Sequence, residues 1–151
     1  MSEEDLVYQK YDLYALDVMY LQKALHICIK EEKRLAETFY ESLFEEHPIT
    51  ERFFKNDRNK QQLMFSTLIE AAAAEMMNPR SLEPLLKSVG QHHKNHKLSK
   101  EHLEMGRSPF FKAVTKCIGK KEFTEHFTRW NNLYSMLIDV MIDDVAGEPN
   151  E

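Results

Sequence analysis

The stretch Ser81-Leu82-Glu83-Pro84-Leu85-Leu86-Lys87-Ser88-Val89-Gly90-Gln91-His92-His93 decides how this chain is read. Wound as a helix at about 100° per residue, it puts Leu82, Leu85, Leu86 and Val89 on one narrow stripe, with His93 near its centre. His92 falls at the stripe's edge. His96 comes within reach only if the helix runs another turn, which the polar residues Lys94, Asn95 and Lys97 argue against. The stripe offers His93 no carboxylate partner. A neutral imidazole is a common iron ligand, and its other ring nitrogen needs an acceptor, most simply the Val89 carbonyl one turn earlier. The plainer alternative is a core histidine bonded to that same carbonyl, so the choice rests on what the rest of the chain sets opposite.

Upstream, apolar residues recur with a period of 3.6 rather than 2, and only 4 Gly and 5 Pro interrupt them, so the expected class is all-α. Helices are predicted from about Leu16 to Ile29, Glu32 to Glu45 and Lys60 to Met77. The second carries Leu35, Phe39 and Leu43 on one side and Ala36, Tyr40 and Phe44 on the adjoining one; Pro48 ends it and leads to Phe53 and Phe54. After the charged loop Lys55 to Asn59, the third carries Gln61, Phe65, Leu68, Ala72 and Met76. Tyr40 and Gln61 are polar groups on otherwise apolar stripes. A buried polar group without a partner is costly, so something should fill the space between them and His93, and the reading is a haem.

The fourth helix is predicted to start near Ser81, with Ser81 as its cap and Pro84 in its first turn. Ser99 opens the next, on which Leu103, Gly106, Phe110, Val114 and Cys117 share a face; Pro109 should bend it or replace its early hydrogen bonds, and Gly119 close it. The last, about Lys121 to Val145, repeats Phe123, Phe127, Trp130, Tyr134, Leu137 and Met141 as a core-facing seam that could also serve a homodimer. Residues 1–15 are acidic and tyrosine-rich and read as an extension packing onto a domain at 16–146, with 147–151 a polar tail.

Composition narrows the function. At 151 residues there is room for one domain and none for a second, nucleotide-binding one, so any reductant is expected to come from elsewhere. The net charge is −5 and no basic stripe is interleaved with aromatics, which argues against nucleic acid. The acidic start and the absence of a membrane-length apolar run argue against export and the membrane, and point to the cytoplasm. Cys28 and Cys117 lie far apart in sequence and read as two core thiols, neither a promising nucleophile.

The ordered set of residues resembles the globin fold, a three-over-three helical sandwich around haem, and within it the haem domain of flavohaemoglobins and single-domain bacterial haemoglobins. Phe39-Tyr40-Glu41-Ser42-Leu43-Phe44, with Pro48 after it and Phe54 fourteen residues beyond Tyr40, is similar to that family's distal tyrosine helix and haem-wedging phenylalanine. Gln61 matches the distal glutamine and Phe65 the apolar residue over the iron; His93, twenty-eight residues on, matches the proximal histidine. Trp130, Tyr134, Leu137, Ile138, Met141 and Ile142 are similar to the last helix, and the likeness spans roughly residues 16 to 144. It departs in two places. Where flavohaemoglobins carry a tyrosine ten residues after the proximal histidine and a glutamate in the last helix, this chain has Leu103 and, by spacing from Trp130, Gly147.

The resemblance implies haem b held by His93, with Phe54, Phe65, Val89 and Leu98 against the macrocycle and Tyr40 and Gln61 facing the ligand. It implies reversible binding of O2, NO or CO, for oxygen storage or delivery or for nitric oxide dioxygenation with an external reductase; no catalytic residue is assigned. The competing reading is a haem-based gas sensor or interaction module. A third, a metal site built from His92, His96 and His102, lacks acidic or thiolate ligands to close it.

Overall fold

The computed structural model describes residues 8–54, 58–95 and 99–146, with a few side chains inside the helices left out, those of residues 58–61 and 92–95 among them. From Ala15 on, the described residues form, in order, α1 Ala15–Ile29, α2 Glu32–Glu46, then a 3-10 helix Pro48–Phe54, α3 Arg58–Glu75, α4 Pro79–Asn95, α5 Lys100–Met105, α6 Arg107–Ile118, α7 Lys120–Glu125 and α8 Phe127–Ala146. No strand occurs among the described residues, and none of their helices is long and apolar enough to cross a membrane.

The long helices pack on one another through a connected set of contacts. Helix α3 packs on α1, α2 and α4, while α2 packs on α6, α4 on α8 and α1 on α6. Rings fill the space between α6 and α8. Phe110 meets Trp130 at 6.2 Å and Tyr134 at 5.5 Å, and Phe111 meets Phe127 at 5.6 Å, so these two axes are held apart by aromatic spacers. The α4–α8 crossing is the opposite case. A Cβ on Gly90 would lie 2.5 Å from the Met141 carbonyl oxygen, so only glycine lets the backbones approach this closely.

Several boundaries differ from the sequence expectation, each for a local reason. Helix α4 begins at Pro79, ahead of Ser81; Asn78 caps the turn, its carbonyl accepting from the Ser81 and Leu82 N–H groups and its amide donating to the Ser81 hydroxyl at 3.0 Å. Helix α4 also runs on to Asn95, beyond the stop expected at the polar stretch. The predicted helix from Ser99 to Gly119 is broken at Gly106, and Pro109 sits in the first turn of α6, where its missing N–H costs nothing. Ser99 does cap α5, accepting from the His102 N–H while its own N–H donates to His102 Nδ1 at 3.0 Å. Gly119 does close α6, at φ +97°. The last predicted helix is split at His126, and the buried seam shifts accordingly: Phe123, Trp130 and Met141 are buried with Leu133, Met136 and Ile138, whereas Phe127 is 45% exposed.

The N-terminal segment joins this core directly. Tyr8 and Leu13 are buried, the Tyr8 hydroxyl donates to the Met76 carbonyl just past the end of α3, and Tyr11 donates to Asp139 Oδ2 on α8 at 2.7 Å.

Candidate functional site

Tyr40 lies on α2 with its neighbours Leu35, Ala36 and Leu43 buried, and is itself only 7% exposed. Three rings surround it. Phe39 meets it edge-on at 5.0 Å, Phe65 from α3 edge-on at 5.8 Å and Phe44 at 5.9 Å. Phe39 and Phe65 stack on each other at 4.5 Å and 17°. The structure thus brings together two of the residues singled out by sequence, Tyr40 and Phe65, on helices far apart in the chain. Burial raises the Tyr40 phenol above its ordinary value, so it remains protonated and able to donate a hydrogen bond throughout the physiological range.

Gln61 lies near the start of α3, one turn before Phe65, and Phe54 ends the 3-10 helix. His93 lies near the end of α4, one turn beyond Val89. The side chains of Phe54, Gln61 and His93 are outside the described residues, as are those of His92 and His96 and the whole of Leu98. The stripe leading to His93 is described: Leu82 and Leu86 are buried, and Leu85 and Val89 are half-buried against the same core.

Phe39 was not singled out by sequence. It turns out to link the two sides of the aromatic group, stacked on Phe65 and edge-on to Tyr40. The available signal was its place beside Tyr40 on a broad apolar face. Gly106 belongs to the same group, since a Cβ there would stand 2.6 Å from the Tyr134 hydroxyl oxygen and 3.4 Å from the Phe39 ring. The Tyr134 hydroxyl donates to the Leu103 carbonyl at 2.8 Å, capping the open end of α5 where the chain breaks into α6.

The metal reading built on His102 gains no support here. Its Nδ1 accepts from the Ser99 N–H at 3.0 Å, and its ring lies edge-on to Phe53 at 4.9 Å. Among the described residues Glu122, Glu125 and His126 are the group close enough to share an ion, and His126 is otherwise engaged. Arg129 donates to His126 Nδ1 at 2.8 Å, which leaves the proton on Nε2, facing Glu122 at 3.3 Å. Tyr20 stacks on the imidazole at 3.9 Å and donates to the same Glu122 carboxylate at 2.8 Å; Arg129 reaches Asp17 at 2.6 Å. This is a network of hydrogen bonds and ion pairs tying α1 to α7 and α8.

A globin family model matches residues 37–141, from α2 through most of α8. The chain belongs to the globin family. It is similar to flavohemoproteins of Bacillus thuringiensis subsp. konkukian and Bacillus anthracis, 27% identical over 107 residues in each case, and to that of Rhizobium meliloti, 24% identical over 106. These alignments cover 69% and 68% of this chain, and the chain spans 26% of the length of each of those relatives.

Proposed function

We propose that this globin holds haem b through the His93 imidazole and binds oxygen reversibly, serving storage, delivery or, with an external reductase, nitric oxide removal. The observation that carries the reading is the buried Tyr40 phenol set among Phe39, Phe44 and Phe65. The described residues fit such a group: rings and aliphatic side chains to pack on a macrocycle, and one protonated phenol to meet a polar ligand. When bound, haem supplies a ferrous iron with one position open to a diatomic gas.

The chain's own residues would then divide the work. His93 tethers, with its second ring nitrogen donating to the Val89 carbonyl. Tyr40 and Gln61 each offer a hydrogen bond to a polarised ligand, worth about 1.5–3 kcal/mol, or roughly ten- to a hundredfold slower escape per donor. Phe54, Phe65, Val89 and Leu98 pack against the ring and exclude water. Leu103 stands where flavohaemoglobins have a tyrosine, so the chain polarises its imidazole less than they do. A cytoplasmic setting suits its two free thiols.

The test is the visible absorption spectrum of the purified protein and of two variants. The protein should show a haem spectrum, His93→Ala should lose it, and His92→Ala should keep it. A colourless protein that refuses added hemin would overturn the reading, and loss in His92→Ala alone would move the tether by one residue.

A further inference from the structure

The Phe39 ring is enclosed from three directions. It stacks on Phe65 of α3 at 4.5 Å and 17°, and stands edge-on to Tyr40 at 5.0 Å and 83°. A Cβ on Gly106 would lie 3.4 Å from its Cζ, so the tip of the ring ends against the break between α5 and α6. Neighbouring side chains on a helix leave it about 100° apart, so the contact with Tyr40 depends on how the Phe39 ring is turned. Phe65 and Gly106 set that turn. We propose that Phe39 is a positioning residue: stacked on Phe65 and stopped at Gly106, its ring sets the angle at which Tyr40 presents its hydroxyl to a bound diatomic gas. This rests on the haem reading above, which supplies the ligand for the phenol to meet.

The geometry assigns the role to Phe39 over its neighbours. Phe65 meets Tyr40 edge-on at 5.8 Å and Phe44 meets it at 5.9 Å, so together with Phe39 they hold the phenol from three sides. Phe39 is the closest of the three, and it is the one that also carries Phe65 on its face. Two rings stacked this closely cannot tilt independently, so a shift of α3 against α2 reaches Tyr40 through Phe39. A hydrogen bond weakens steeply as it bends, and a phenol free to tilt loses part of its hold on a polarised ligand. Phe39 has no polar group of its own. Its effect on oxygen must therefore pass through the hydroxyl of Tyr40. Leucine at position 39 would fill most of the volume but offer no flat face, so the core would stay closed while Tyr40 and Phe65 gained freedom.

The experiment measures oxygen and carbon monoxide dissociation by stopped-flow displacement in the parent, Phe39→Leu, Tyr40→Phe and the double variant. Phe39→Leu should release oxygen roughly three- to tenfold faster, part of the effect of losing the donor outright, and alter carbon monoxide release by less than about twofold. In the Tyr40→Phe background the same substitution should alter oxygen release by less than about twofold, because the group it positions is gone. The denaturant midpoint needs no gas. Phe39→Leu and Phe65→Leu together should lower it by less than the sum of their separate losses, since either one already breaks the stack. Equal acceleration of both gases, a full effect without the Tyr40 hydroxyl, or midpoint losses that add would each overturn the proposal. So would unchanged oxygen release in Phe39→Leu where Tyr40→Phe accelerates it. A parent without a haem spectrum, or an oxygen rate indifferent to Tyr40→Phe, would instead overturn the haem reading and this proposal with it.

Discussion

Gly90 and Met141 meet backbone to backbone: a Cβ added to Gly90 would stand 2.5 Å from the Met141 carbonyl oxygen and 3.0 Å from its Cα. The obstacle is main chain on a buried helix, which cannot swing aside as a side-chain end could. Gly90→Ala should therefore destabilise the fold by about 1–3 kcal/mol, read from the denaturant midpoint. Alanine is the better helix former, so an unchanged or raised stability would show that α4 and α8 separate freely.

Tyr134→Phe should cost about 1 kcal/mol or more. The substitution removes the hydroxyl that shares the Leu103 carbonyl with the Gly106 N–H and keeps the ring packed on Phe110 at 5.5 Å. Thermal unfolding would measure it, and equal stability would mean that water replaces the phenol.

Tyr40→Phe should speed oxygen dissociation roughly tenfold or more, because the buried phenol is lost while the aromatic packing remains. Carbon monoxide, a less polarised ligand, should respond less. Stopped-flow displacement gives both rates, and an unchanged oxygen rate would mean that Tyr40 points away from the ligand.

Asp17 gives a pH signature. Burial works against its ionisation, yet the Tyr14 N–H and the Arg129 guanidinium hold its carboxyl below the ordinary value of 3.8. A depressed folded-state value contributes stability that is fully present above the unfolded-state value and is lost as pH falls through the folded one. Asp17→Asn should thus be less stable than the parent at neutral pH, by about 1 kcal/mol for so partly exposed a pair. The gap should be constant down to about pH 5 and narrow below about pH 4. Denaturant titrations at several pH values would check it; a gap independent of pH down to acid would exclude the Asp17–Arg129 pair as its source.

The helices were legible because an apolar face imposes its period on the sequence, and Leu82 and Leu86 are buried on the stripe that periodicity drew. Tyr40 stood out for the same reason, as one polar group on such a face. The breaks at Gly106 and His126 were not legible, because distant side chains fix them: the Tyr134 hydroxyl at the first, Arg129 and Tyr20 around the second. Phe127 fitted the repeat but opens a new helix instead of continuing an old one, and so falls outside the seam. Phe39 was visible as apolar, but its stacking on Phe65 depends on how α2 packs on α3.

The Tyr8 hydroxyl, seated on the Met76 carbonyl, and the neighbouring Leu13 mean that the segment before α1 plugs a slot in the helical stack. A chain shortened to begin at Leu16 would bare that slot to solvent. Such a truncation should make the protein sticky, a practical warning for anyone trimming the sequence back to its first long helix.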